Sequence, residues 1–112
     1  MGNKPTPQKL NNLIHVALEH QMRLWPKFTS ADGSNKVEFF WPLREGTGTD
    51  RYFMKDSDIR QLANDAAGPV CSELEIKPIH YGTSADMAAV KTLDDLKNLI
   101  SASIVKQEKW GA

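Results

Sequence analysis

The feature that most constrains the fold is an aromatic segment at residues 36–55. Residues 36–44 and 51–55 are rich in the β-branched and aromatic residues that strands favour, and a glycine-containing stretch separates them, which is typical of a β-hairpin. Side chains alternate along a strand, so both faces of this hairpin would be apolar. One face would carry Val37, Phe39, Trp41, Leu43 and Phe53, and the other Phe40, Pro42, Tyr52 and Met54. Such a sheet must be covered on both sides, by helices of the same chain or by a partner.

Two long helices are predicted near the ends of the chain. Residues 7–25 repeat apolar side chains with a period of 3.6, and Pro26 disfavours continuation of this helix. The stripe consists of Leu10, Leu13, Ile14, Ala17, Leu18, Leu24 and Trp25. Thr92 can cap the other helix, which runs to about Lys106 with acidic residues in its first turn. Each helix carries one apolar stripe and can therefore cover one surface.

The middle of the chain predicts a short helix and further strand structure. A helix beginning near Asp58 is stopped by Gly68 and Pro69, so it spans about 59–67. Residues 71–81 alternate between polar and apolar side chains as a half-buried strand does. Residues 85–91 fit either another strand or an extension of the last helix.

The predicted fold is therefore a single small α+β domain, with elements in the order αββαβ(β)α and a mainly antiparallel sheet packed by helices. Residues 1–6 are predicted to be a flexible leader, 7–107 the domain and 108–112 a C-terminal tail. A chain of 112 residues is long enough for one hydrophobic core without disulfide bonds or metals. Cys71 is the only cysteine, and no run of about 18 apolar residues is present, which predicts a cytoplasmic protein without a membrane segment.

No combination of residues carries a catalytic signature. His15 and Glu19 share a helix face, but a metal site needs a third ligand that would have to come from a distant element. Cys71 and His80 are the candidates for a thiol nucleophile and its base, without a flanking family signature. Gly46 and its neighbours precede a strand rather than a helix, so they predict a hairpin loop and not a phosphate site. The chain is predicted to be noncatalytic, with no metal and no cofactor.

The hairpin is the strongest candidate for a binding surface, because aromatic residues and arginine are enriched in interface hot spots. The candidate interface residues are Phe40, Arg44, Arg51, Tyr52, Met54 and Trp110. These features favour a noncatalytic protein–protein interaction domain, a small adaptor or inhibitor whose partner is another protein chain or a second copy in a homodimer. The alternative is a nucleic-acid-binding module that uses the aromatic and basic hairpin at 36–55. A formal net charge of zero weighs against that alternative, and the aromatic residues could instead fill the core.

Overall fold

A computed structural model describes residues 5–24, 37–44 and 54–108. Three α-helices span Pro7–Leu24 (α1), Asp56–Glu73 (α2) and Leu93–Glu108 (α3), and a 3-10 turn spans Ser84–Met87. Helix α1 packs against both α2 and α3. Within the described ranges no β-strand forms, and a single antiparallel bridge joins Pro42 to Thr92. The predicted α+β class, with its αββαβ(β)α order and antiparallel sheet, is therefore wrong, and the described chain is a helical fold.

The first and last predicted helices are confirmed, and both begin with the capping chemistry that their sequences indicate. At the start of α1 the Lys9 N–H donates to Thr6 Oγ1 at 3.1 Å. At the start of α3 the Asp95 N–H donates to Thr92 Oγ1, and the Asp95 carboxylate accepts from the Thr92 N–H, both at 3.2 Å. This reciprocal pairing satisfies two of the amides that a helix start leaves without helical partners.

The first arm of the predicted hairpin is not a strand, although its side chains are buried alternately. Phe39, Trp41 and Leu43 are buried, whereas Phe40 between them is exposed. The backbone bonds of this segment reach the start of α3: the Asp94 N–H donates to Phe39 C=O, and the Leu43 N–H to Lys91 C=O. The pairing is too short to make a sheet. The predicted loop at 45–50 and residues 51–53 of the predicted second arm lie outside the described residues.

Helix α2 continues well past its predicted stop at Gly68 and Pro69, because the residues beyond them are needed in the core. Val70, Cys71 and Leu74 are almost fully buried. Proline inside a helix has no N–H to donate and crowds the preceding turn, but Gly68 has no Cβ to clash with the proline ring. Tertiary packing therefore outweighs the local stop signal.

The end of α2 is set by Glu75, which has a positive φ of 57°. The Glu75 N–H donates to Ser72 C=O at 3.1 Å and the Ile76 N–H to Cys71 C=O at 3.0 Å. These two bonds are those of a Schellman motif, which usually has glycine at the left-handed position. The following Ile76 packs against the core.

The strand predicted at 71–81 is absent, and residues 85–91 form neither a strand nor an extension of the last helix, the two alternatives that the sequence left open. Residues 71–73 belong to α2, residues 76–83 are extended without a partner strand, and the 3-10 turn occupies part of 85–91. Within the extended segment, one side chain satisfies both backbone polar groups of Tyr81: Asn64 Oδ1 accepts from the Tyr81 N–H at 2.7 Å, and Asn64 Nδ2 donates to Tyr81 C=O at 3.2 Å. The Asn64 carboxamide thus provides the donor and acceptor that a neighbouring strand would provide.

One hydrophobic core joins the helices and the segment at 37–44. Helix α1 contributes one residue every four positions, and α2 and α3 face it with alanine and branched aliphatic side chains. Its helical members are Leu10, Ile14, Leu18, Met22, Ile59, Leu62, Ala63, Ala66, Ala67, Val70, Leu93, Leu96, Ile100 and Ile104.

We predict that Glu75→Gly stabilises the protein. Glycine removes the cost of a left-handed backbone at an L-residue, so the free energy of unfolding should rise by about 1 kcal/mol in urea denaturation. The matched control is Glu73→Gly, which places glycine inside the last turn of α2. This variant should lower the free energy of unfolding by a similar amount. A loss of stability in the Glu75 variant would contradict the described end of α2.

We predict that Asn64→Ala destabilises the protein by about 1–3 kcal/mol, because both polar groups of the Tyr81 peptide lose their partner. Asn98, an exposed helical asparagine in α3, provides the control. Asn98→Ala should leave the free energy of unfolding within about 0.5 kcal/mol of the wild type. Equal effects of the two substitutions in the same denaturation experiment would show that the Asn64 bonds do not support the extended segment.

Candidate functional site

The six predicted interface residues have different surroundings. Half of them lie outside the described residues and stay predictions: Arg51, Tyr52 and Trp110. Phe40 is 67% exposed and meets the Trp41 ring edge-on, with 6.3 Å between the ring centroids. Met54 is only 4% exposed, because its side chain packs in the core. Of the described candidates, Phe40 alone presents an apolar side chain to solvent on this surface.

Arg44 joins three segments that are distant in sequence. Its guanidinium donates to Asp56 Oδ1 at 2.5 Å, to Met87 C=O at 2.6 Å and to Val90 C=O. The side chain is mostly buried, and the Asp56 carboxylate balances its charge. Arg44 therefore fixes residues 37–44 against the start of α2 and the chain before α3, and this charge is not free to bind a phosphate or a partner's carboxylate.

Phe39 lies between side chains of α1 and α3. The His15 ring stacks on it with 3.9 Å between centroids and 7° between planes, and Lys97 Nζ lies 5.3 Å from the Phe39 centroid. His15 Nε2 is also 3.7 Å from Glu19 Oε2, so the two side chains that share a helix face in the sequence lie close together. No group of three His, Cys, Asp or Glu side chains that could hold a metal occurs within residues 5–24, 37–44 and 54–108.

The two residues considered as a thiol nucleophile and its base lie in different environments. Cys71 is buried in α2, whereas His80 is exposed on the extended segment. The buried polar side chain of this segment is Tyr81, whose hydroxyl donates to Ser103 Oγ at 2.8 Å, and the Ser103 hydroxyl in turn donates to Leu99 C=O. Burial raises the pKa of the Tyr81 hydroxyl above its usual value. This chain of bonds ties the extended segment to α3.

A groove of about 650 Å³ lies between α1 and the C-terminal part of α2, and we call it the α1/α2 groove. Its apolar lining consists of Leu13, Val16, Ala17, Pro69 and Val70. Its polar lining consists of Thr6, Gln8, Lys9, Asn12, His20, Gln21 and Glu73. Val16 is 65% exposed and presents its side chain to solvent along this groove. The groove is therefore an apolar surface with a polar border that includes three side-chain amides, a cation on α1 and an anion on α2.

Sequence reasoning missed this groove because it treated the apolar face of α1 as a single stripe. The residues of α1 that pack in the core begin at Leu10 and repeat every four positions. Leu13 and Ala17 lie beside this row and are only partly buried. Leu24 lies on the same side of the helix as Leu13 and is 58% exposed. Two features of the sequence could have indicated a second apolar surface on α1: the width of the apolar stripe, and Val16, which lies outside that stripe.

The two charged side chains that border the groove oppose the dipoles of their helices. Lys9 is in the first turn of α1, where no acidic residue occurs, and Glu73 is in the last turn of α2, where no basic residue occurs. A helix N-terminus favours anions and a C-terminus favours cations, so each charge is in the less favourable position. Neither side chain forms an ion pair with another residue in the described part of the chain.

Comparison with known proteins finds no matching family model, no matching curated protein and no matching solved structure. Among the described helices, none combines the length and the apolar character that crossing a membrane requires.

We predict that Tyr81 makes stability fall in alkaline solution. Its pKa is raised in the folded chain, so above about pH 10 the unfolded chain loses the proton first and the free energy of unfolding falls. Tyr81→Phe should cost about 1 kcal/mol at neutral pH, through the lost bond to Ser103, and should abolish this part of the alkaline fall. The advantage of the wild type should therefore shrink between about pH 9 and pH 11 in urea denaturation. Parallel curves would contradict the prediction.

Proposed function

We propose that this chain is a noncatalytic protein-binding domain, an adaptor or an inhibitor, that binds an amphipathic helix of a protein chain in the α1/α2 groove. The observation that carries the proposal is the apolar lining of this groove, in which Val16 and Pro69 are exposed and Leu13 and Ala17 are partly buried. Exposed apolar surface bordered by polar side chains marks interaction sites in many proteins. The lone Cys71, buried in a fold whose core is built from helices, supports a cytoplasmic location for this activity.

The shape of the groove favours a helical partner. Its lining runs along α1 from Thr6 to Gln21, which is about 22 Å at 1.5 Å per residue, or four helical turns. Two packed helices present a channel in which a third helix can lie, with axes about 8–10 Å apart. The small side chain of Ala17 permits such an approach. The partner helix would carry apolar side chains at positions i, i+3, i+4 and i+7, as in other helix-in-groove complexes.

The surroundings of the polar candidates support a noncatalytic role. Arg44, Asn64 and Tyr81 are bonded to backbone or side-chain groups that hold the fold together. The alternative function, binding of nucleic acid, is favoured by exposed Phe40 beside Trp41, since bases stack on exposed aromatic rings. The ion pair between Arg44 and Asp56 weakens the nucleic-acid alternative, because the positive charge of Arg44 is neutralised inside the protein.

We predict that Val16→Glu abolishes partner binding and leaves the fold intact. A charge in the apolar lining opposes docking of an apolar stripe, so capture of protein partners from native lysate should fall at least about tenfold. Since Val16 is exposed, the free energy of unfolding should change by less than about 0.5 kcal/mol. Val105→Glu is the matched control, because Val105 is also an exposed helical valine, 44% exposed, and lies outside the groove.

Each capture is repeated after nuclease treatment, with Phe40→Ser as a further variant. Nuclease-resistant partners that are lost only in the Val16 variant support the proposal. Partners that the Val16 variant retains in full would contradict it. Capture that is sensitive to nuclease and lost in the Phe40 variant would favour the nucleic-acid alternative.

A further inference from the structure

We infer that the helix bound in the α1/α2 groove is α1 of a second copy of this chain, so that the protein forms a two-fold symmetric dimer. The inference rests on the proposed function and names its partner. In a two-fold interface the same surface patch is used on both copies, so the patch must be complementary to itself. The α1/α2 groove meets that condition in its apolar side chains and in its charges.

The apolar part is self-complementary because α1 supplies both a wall of the groove and the helix that fits it. Leu13, Val16 and Ala17 follow the spacing of three and four residues that one helix presents to another. When two α1 helices cross near their midpoints in antiparallel orientation, Val16 of each copy can contact the apolar lining of the other. A different protein would need this apolar stripe on a helix of its own, whereas a second copy already has it.

The charges are complementary in the same way. Lys9 on α1 and Glu73 on α2 border one groove, so a two-fold axis allows Lys9 of each copy to approach Glu73 of the other. Their positions against the helix dipoles indicate that intrahelical electrostatics does not account for them. A formal net charge of zero also removes long-range repulsion between two copies.

The surface is small, since one helix face and one turn of α2 are involved, whereas stable complexes use about 800 Å² per partner. We therefore expect a dissociation constant of about 100 µM. Sedimentation equilibrium of the full chain between about 10 µM and 1 mM should show a monomer–dimer equilibrium, and this range brackets the expected constant.

The decisive experiment is a charge-reversal cycle in the full chain. Lys9→Glu and Glu73→Lys should each raise the dissociation constant roughly tenfold, because symmetry turns two attractive pairs into two repulsive ones. The double variant K9E/E73K should return to within about threefold of the wild type, because both pairs are restored. Lys77→Glu, on the exposed extended segment, is the matched control and should have no effect on association.

Weaker association of the single variants should not be caused by a failure to fold. Each reversal places the charge that the helix dipole favours, an anion at the start of α1 and a cation at the end of α2, so the single variants should be at least as stable as the wild type. Far-UV circular dichroism and urea denaturation check this for every variant.

A wild-type chain that stays monomeric throughout the range would overturn the inference, and so would a double variant that associates no better than the single ones. If the monomeric chain still binds another protein in a way that depends on Val16, the inference fails and the proposed function survives. If the dimer forms but Val16→Glu leaves both association and partner capture unchanged, the groove is not a binding site and both fail.

Discussion

The burial of Val70, Cys71 and Leu74 against the core determines the rest of this structure. To place these side chains, α2 has to continue through Gly68 and Pro69 for more than a turn, and its end then depends on the left-handed backbone of Glu75. That additional length forms one wall of the α1/α2 groove. A helix that ended at residue 67 would leave α1 without a neighbour at this position, and the groove would not exist.

The fold holds its irregular segments with side-chain bonds where an α+β protein would use a sheet. Asn64 pairs with the Tyr81 peptide, and Arg44 reaches two backbone carbonyls, at Met87 and Val90. Each of these bonds satisfies a backbone group that would otherwise need a strand partner or water. A few polar residues thus allow extended chain to pack on helices with very little backbone pairing.

The sequence was sufficient to predict α1 and α3, because each has a clear helical period and a capping threonine. It was misleading in the middle of the chain, for two physical reasons. Alternation of buried and exposed side chains at 39–43 is real, but it arises from packing against helices and a loop, which local pattern cannot distinguish from a strand. The stop at Gly68 and Pro69 is a local preference that long-range packing overrides, so the position of the groove could not be predicted from periodicity alone.

The sequence separation of the Arg44 contacts has a consequence for the order of folding. Its carbonyl partners lie 43 and 46 residues away along the chain, whereas the amides that cap α1 and α3 are bonded within three residues. Closing long loops has an entropic cost that must be met before such contacts contribute energy. We therefore expect the helices to form early and residues 37–44 to dock late. Contacts that are absent from the folding transition state mainly slow unfolding. The bonds of Arg44 to Asp56, Met87 and Val90 should therefore lower the unfolding rate of the helical core and have little effect on its folding rate.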